Sequence, residues 1–147
     1  MKFTLLIDSE NEPEVIVRVR QRSELTDQIE ALVMQYSGTD SLPAYTEDAV
    51  QMLPFRDMEC ITVLDGKTYA VDTTGKLLRL KLKLYEVEQL VPASFIRINK
   101  SSLANENRLA RFRSDICGGV TAVFRSGYTE YVSRRCFAEI KRRFDRK

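Results

Sequence analysis

The run Phe95-Ile96-Arg97-Ile98-Asn99-Lys100-Ser101-Ser102-Leu103-Ala104-Asn105 ends a short apolar stretch in a cation, an amide and two hydroxyls. Those are groups suited to a base edge or a phosphate. Asn can pair bidentately with adenine, Lys can meet guanine or phosphate, and Ser can serve either. The same three residues would also suit a plain polar turn closed by Asx or hydroxyl hydrogen bonds. Further along, Tyr131-Val132-Ser133-Arg134-Arg135 sets two guanidinium groups directly after a residue able to cap a helix. With Ser133 as N-cap, both cations stand at the positive end of the helix dipole, which costs about 0.3–1 kcal/mol each at an exposed site. A local rule broken without visible compensation points to function. An incoming phosphate would compensate, and an arginine fork can also read guanine O6 and N7. The alternative is a pair of solvated arginines, or a salt bridge to an acidic neighbour. Lys141, Arg142 and Arg143 fall at the other end of that helix, where the dipole favours them.

The elements that must position these groups can be read from periodicity. Phe3, Leu5 and Ile7 alternate, as do Val15, Val17 and Val19, which predicts two strands. Ser23 then caps a helix with Leu25, Ile29, Leu32, Val33 and Tyr36 on one face, ended by Gly38. This strand-strand-helix unit, over residues 1–40, must pack on the remainder or on a copy of itself, and dimerisation is the functional expectation. Gly38 to Tyr45 is rich in Ser, Thr, Asp and Pro and reads as a linker. Strands follow at Val50–Leu53, Met58–Leu64 and Thr68–Val71, the last two joined by Asp65-Gly66-Lys67, a strong hairpin signal. Leu78, Leu80 and Leu82 alternate with basic residues, and Leu84, Val87 and Val91 have helical spacing before Pro92. After Phe95–Ile98 and a turn through Ser102 come strands at Leu109–Phe112, Val120–Phe124 and Tyr128–Val132. A final helix runs from Ser133 to about Phe144, with Phe137, Ile140 and Phe144 inward. The result is an α+β protein whose C-terminal part is largely β.

Composition excludes several classes of function. The 147 residues contain no histidine, which removes the usual Ser-His-Asp and Cys-His catalysis and most zinc sites. No paired acid and base or activated nucleophile stands out, so an enzyme is not expected, nor a metal or cofactor. Three widely spaced cysteines, Cys60, Cys117 and Cys136, argue against a disulfide framework. No apolar run approaches the ~20 residues of a membrane span, and no signal-peptide pattern is present, so the expected location is cytoplasmic, without membrane insertion. The net charge of +2 is unevenly spread. Residues 1–50 carry four Lys/Arg against ten Asp/Glu, a net −6; residues 51–96 balance at six each; residues 97–147 carry thirteen against five, a net +8. A basic tail behind an acidic head suggests a polyanionic partner for the tail alone.

The pair F-I-R-I-N-K-S-S-L-A-N and G-Y-T-E-Y-V-S-R-R-C-F-A-E-I-K resembles the LytTR family of DNA-binding domains, in its short stand-alone form. The resemblance covers roughly residues 45–147 and is tightest at Phe95–Asn105 and Ser126–Lys141. It implies an elongated domain of short antiparallel sheets, which periodicity does not give. It also implies that the loop at Asn99, Lys100 and Ser101 enters the major groove, with Lys100 at a base-reading position. Arg97, which points from the same strand, is expected to contact phosphate. A further contact is implied at the Asp65-Gly66-Lys67 hairpin, where Lys67 and Thr68 match. Many members carry a His near the position of Asn99, so base preference does not carry over. LytTR domains often follow a phosphorylated receiver domain, and the acidic N-terminal unit is too short to be one. The expected function is therefore a response-regulator-like transcriptional regulator binding duplex DNA through successive major grooves as a homodimer. The other reading is a protein-interaction module whose basic part binds acidic partners.

Overall fold

The structure, a computed structural model, describes residues 1–11, 13–36 and 40–145, and the chain divides into two units, 1–36 and 37–147. In the first unit the helix α1 runs over Glu24–Tyr36. Ser23 caps it: its Oγ accepts from the Thr26 N–H at 3.4 Å, while its own N–H donates to Thr26 Oγ1 at 2.9 Å. Arg22 adds ion pairs to Asp27 at 2.9 Å and Glu30 at 2.7 Å. The two strands expected at Phe3–Ile7 and Val15–Val19 do not form among the described residues. Their alternating apolar side chains stand in solvent, Phe3 at 88% and Ile7 at 94% exposure. Alternation makes a strand only where a partner supplies a ladder and an apolar face, and this unit supplies neither. Gly38, expected to end α1, lies outside the described residues, as does the side chain of Phe144.

The second unit holds two antiparallel sheets. The larger has seven strands: β1 (Ser41–Tyr45), β2 (Val50–Pro54), β3 (Met58–Leu64), β4 (Lys67–Asp72), β5 (Leu77–Leu80), β6 (Phe95–Asn99) and β7 (Ser102–Asn105), in the order β2-β1-β5-β4-β3-β7-β6. The smaller comprises β8 (Leu109–Ser114), β9 (Val120–Phe124) and β10 (Thr129–Val132), with β9 central. The helix α2 (Leu84–Leu90) links β5 to β6, and α3 (Arg134–Asp145) follows β10. One apolar cluster gathers Leu42, Phe55, Met58, Ile61, Leu78, Leu80, Val87 and Leu103 on one face of the large sheet. A second joins Cys60, Val71, Ile96 and Ile98 to Val120, Ala122, Phe124 and Val132 of the small sheet region and to Ile140 of α3.

Two segments differ from the sequence reading. Residues 41–45, expected as linker, form β1, which pairs with β2 from Ser41↔Pro54 to Tyr45↔Val50. Pro43 is tolerated because β5 meets β1 only at Tyr45↔Arg79, leaving most of that side without a ladder to break. Ser102–Asn105, expected to be turn and coil, is β7, buried along its whole length between β3 and β6. Its polar ends are satisfied inside: Ser102 Oγ lies 2.8 Å from Thr62 Oγ1, and Asn105 Nδ2 donates to the Met58 carbonyl at 2.9 Å. A strand covered on both faces shows no alternation.

The two sheets share one buried carboxylate. Glu59 on β3 is fully buried, pairs with Arg108 Nη2 at 3.2 Å and accepts from the Ser126 N–H at 3.2 Å and from its hydroxyl. Arg108 follows β7, and Ser126 sits in the β9–β10 turn, so one side chain fastens the large sheet to the hairpin of the small one.

Candidate nucleic-acid interface

The β6–β7 turn is built by its own side chains. Asn99 Oδ1 accepts the Ser101 N–H at 2.7 Å, an Asx turn, while its Nδ2 donates to the Tyr131 carbonyl at 2.6 Å. Asn99 is accordingly buried, and Lys100 at the apex is exposed. The Val63 N–H donates to the Ser101 carbonyl at 3.0 Å, tying the turn to the end of β3.

Arg97 spends its fork on neighbours within the chain, at the surface. Its Nε and Nη2 donate to the two Glu88 oxygens at 3.1 and 2.9 Å, and its Nη1 donates to the Lys100 carbonyl at 2.8 Å.

Because β3 is antiparallel to β7 and ends beside Ser101, the β3–β4 hairpin emerges at the same end of the sheet as Lys100. Asp65 at φ 51° and Gly66 at φ 74° make its turn, the left-handed pair that an Asp-Gly hairpin requires. Lys67 is exposed at the start of β4; Thr68 is buried against Val63 and Leu80. Lys81, just beyond β5 at this same end, holds its ammonium 4.2 Å from the centre of the Tyr45 ring.

The N-terminus of α3 completes the surface. Ser133 is the cap: its Oγ accepts the Cys136 N–H at 3.2 Å and its carbonyl accepts the Phe137 N–H at 2.9 Å. Its own N–H donates to the Ile98 carbonyl at 2.8 Å, so the helix start is bonded to β6. Arg134 and Arg135 are exposed, and no acid stands in the first turn. Neither makes an ion pair among the described residues. A cleft of about 550 Å³ opens between the Lys100 turn and this helix start. Arg97, Lys100 and Arg135 line it with Tyr131, Cys136 and Glu139.

The structure thus brings Arg97, Asn99, Lys100 and Arg135 to one cleft, with Ser101 in the turn beside it; the Arg134 guanidinium lies instead next to Gly118 in the β8–β9 turn, and Lys67 and Thr68 lie further along the same sheet end. Lys100, Arg134, Arg135 and Lys67 present their charges outward. Arg97 is half-buried and paired with Glu88, and the uncharged Asn99 and Thr68 are buried. The sequence reading missed Glu88, Tyr131 and Glu139. Tyr131 lies inside the motif already singled out, whereas nothing in the spacing announced that Glu88 would meet Arg97. Among the described residues no cluster of acidic and cysteine side chains could hold a metal ion. No helix there is long and apolar enough to cross a membrane.

Two packed antiparallel sheets with a capped, arginine-headed helix beside a basic turn define a domain with one cationic edge. Residues 48–145 match the LytTr DNA-binding domain family, and the chain belongs to it. A solved LytTr DNA-binding domain from Bacillus cereus superposes with a TM-score of 0.64 at 24% identity, over 71% of this chain and 96% of that one. Two uncharacterised HTH-type transcriptional regulators of Staphylococcus aureus, from strains NCTC 8325 / PS 47 and COL, are each 26% identical over 146 residues, spanning 97% of both chains.

Proposed function

We propose that this protein is a transcriptional regulator that binds duplex DNA in a sequence-specific manner as a homodimer. The observation that carries the reading is the cleft itself. Lys100 and Arg135 flank it with free cationic heads, beside a helix N-terminus that already favours an anion. Packing gives no reason to collect Lys100 and Arg135 there, and a phosphate backbone does. The near full-length similarity to the two staphylococcal regulators supports a role in transcription.

In this reading Lys100 and Arg135 meet base edges along one stretch of major groove and Arg134 meets phosphate. Lys67 extends the contact along the sheet end toward the next groove. Ser101 and Thr68 hold the turn and the hairpin that carry the two lysines. The N-terminal unit supplies the second copy, because its row of exposed apolar residues from Phe3 to Val19 has no cover of its own.

Selection from a random duplex pool tests the proposal. One motif should be enriched, and its binding should weaken with salt at a slope of about −4 to −5 per protomer in log–log form, for about four to six neutralised phosphates. A flat salt response, with capture of acidic proteins instead, would favour the interaction-module reading.

A further inference from the structure

Arg97 is half-exposed beside the proposed reading turn, and as a free cation it would simply add a phosphate contact. Its geometry argues otherwise. Three of its nitrogens are committed: Nε and Nη2 to the Glu88 carboxylate in a fork, Nη1 to the carbonyl of Lys100. The guanidinium is planar, so the three bonds fix one another's direction. Glu88 has an exposed side chain on a helix whose backbone is anchored. It sits on α2 next to Val87, which is fully buried in the core cluster. The first turn of α2 is closed by the Lys83 N–H donating to Glu86 Oε1 at 3.1 Å.

The turn is gripped from the other side by Asn99, whose side chain bonds the Ser101 N–H and the Tyr131 carbonyl. Lys100 is the residue between these two grips. A register shift between Arg97 and Asn99 puts an irregularity into the β6–β7 pairing just before the turn that carries Lys100.

We infer that Glu88, Arg97 and Asn99 are positioning residues that hold Lys100 at one fixed projection, and that Arg97 contributes to specificity through this clamp rather than through its charge. This rests on the DNA-binding reading above for its consequence, but the clamp itself is a property of the free protein. It extends the functional surface to α2, an element that carries no outward cation toward the cleft. It also assigns Asn99 to the backbone of the turn rather than to a base.

Arg97→Lys separates the alternatives, because it keeps the charge and removes the fork. Two measurements are made on wild type, Arg97→Lys and Glu88→Gln: backbone order at residues 99–101 by nuclear relaxation without DNA, and a selection-based binding logo. The expected result is a loss of order at Lys100 and Ser101 in both variants. The logo should relax at the single position that Lys100→Ala also relaxes, with the preference for the selected site over scrambled duplex falling about tenfold. Arg97→Lys should leave the salt slope unchanged. Unchanged loop order in both variants would overturn the clamp, whether or not DNA is bound. Ordered loops lost with an intact logo would overturn its role in specificity. If wild type itself selects no motif, the DNA reading fails, and the relaxation data still decide the clamp.

Discussion

Arg135 occupies the first turn of a helix that has no acidic residue there, and Arg134 beside it shares the same unfavourable field. No ion pair among the described residues offsets this, so Arg135→Ala should raise the melting temperature slightly, by the equivalent of about 0.3–1 kcal/mol. The same variant should weaken the preferred duplex by about 1–3 kcal/mol and flatten one logo position, and Lys100→Ala should flatten another. A thermal melt beside a selection logo checks both halves, and unchanged logos for both variants would move the reading surface elsewhere. These cations were legible in the sequence because they break a local rule. Glu88 was not, because its meeting with Arg97 is made by the tertiary approach of α2 to β6. Asn99 was legible as a polar turn residue, but its buried bond to the Tyr131 carbonyl depends on a strand far along the chain.

At the level of elements, turn chemistry was the most readable feature. Asp65-Gly66 gave the β3–β4 hairpin, and the helical spacing of Leu84, Val87 and Val91 gave α2. Two further strands were hidden for physical reasons: β7 is buried on both faces, and β1 carries a proline that only its sparse pairing with β5 permits. The turn from β4 to β5 yields a pH prediction. Burial tends to raise the Asp72 carboxyl, but hydrogen bonds from the Thr74 hydroxyl and the Thr74 and Lys76 N–H groups outweigh it and hold it below the ordinary aspartate range. Its contribution is therefore present above the unfolded value near 4 and is lost as pH falls through the lower folded one. Asp72→Ala should cost about 1 kcal/mol at neutral pH. The gap between wild type and variant should close below about pH 4, which melts across pH will show. A gap that persists in acid would mean that the turn is held by something other than this carboxylate.

For the whole molecule, the proposed reading surface draws Lys100 from the large sheet and Arg135 from the helix after the small sheet, so the union of the two sheets matters. Glu59 makes much of that union from a fully buried position, and Arg108 Nε is buried without a hydrogen-bond partner among the described residues. Glu59→Ala would strand the Arg108 cation and should destabilise the protein by roughly 3 kcal/mol, measurable as a shift in a urea midpoint. The N-terminal unit contributes no strand to either sheet among the described residues. A chain beginning at residue 40 should keep its logo but sediment as a monomer and lose affinity for paired half-sites. Sedimentation as an unchanged dimer would assign assembly to the sheets instead. One further consequence follows from the bonds between β6 and the start of α3. The Ser133 N–H is held by the Ile98 carbonyl, and the next residue along, Asn99, holds the Tyr131 carbonyl. The two tips that reach outward are thus mounted on a single rigid gauge, its width set by peptide geometry. If those tips read bases as proposed, a lineage can exchange their side chains, and so rewrite the letters it recognises, while inheriting the interval between the letters unchanged.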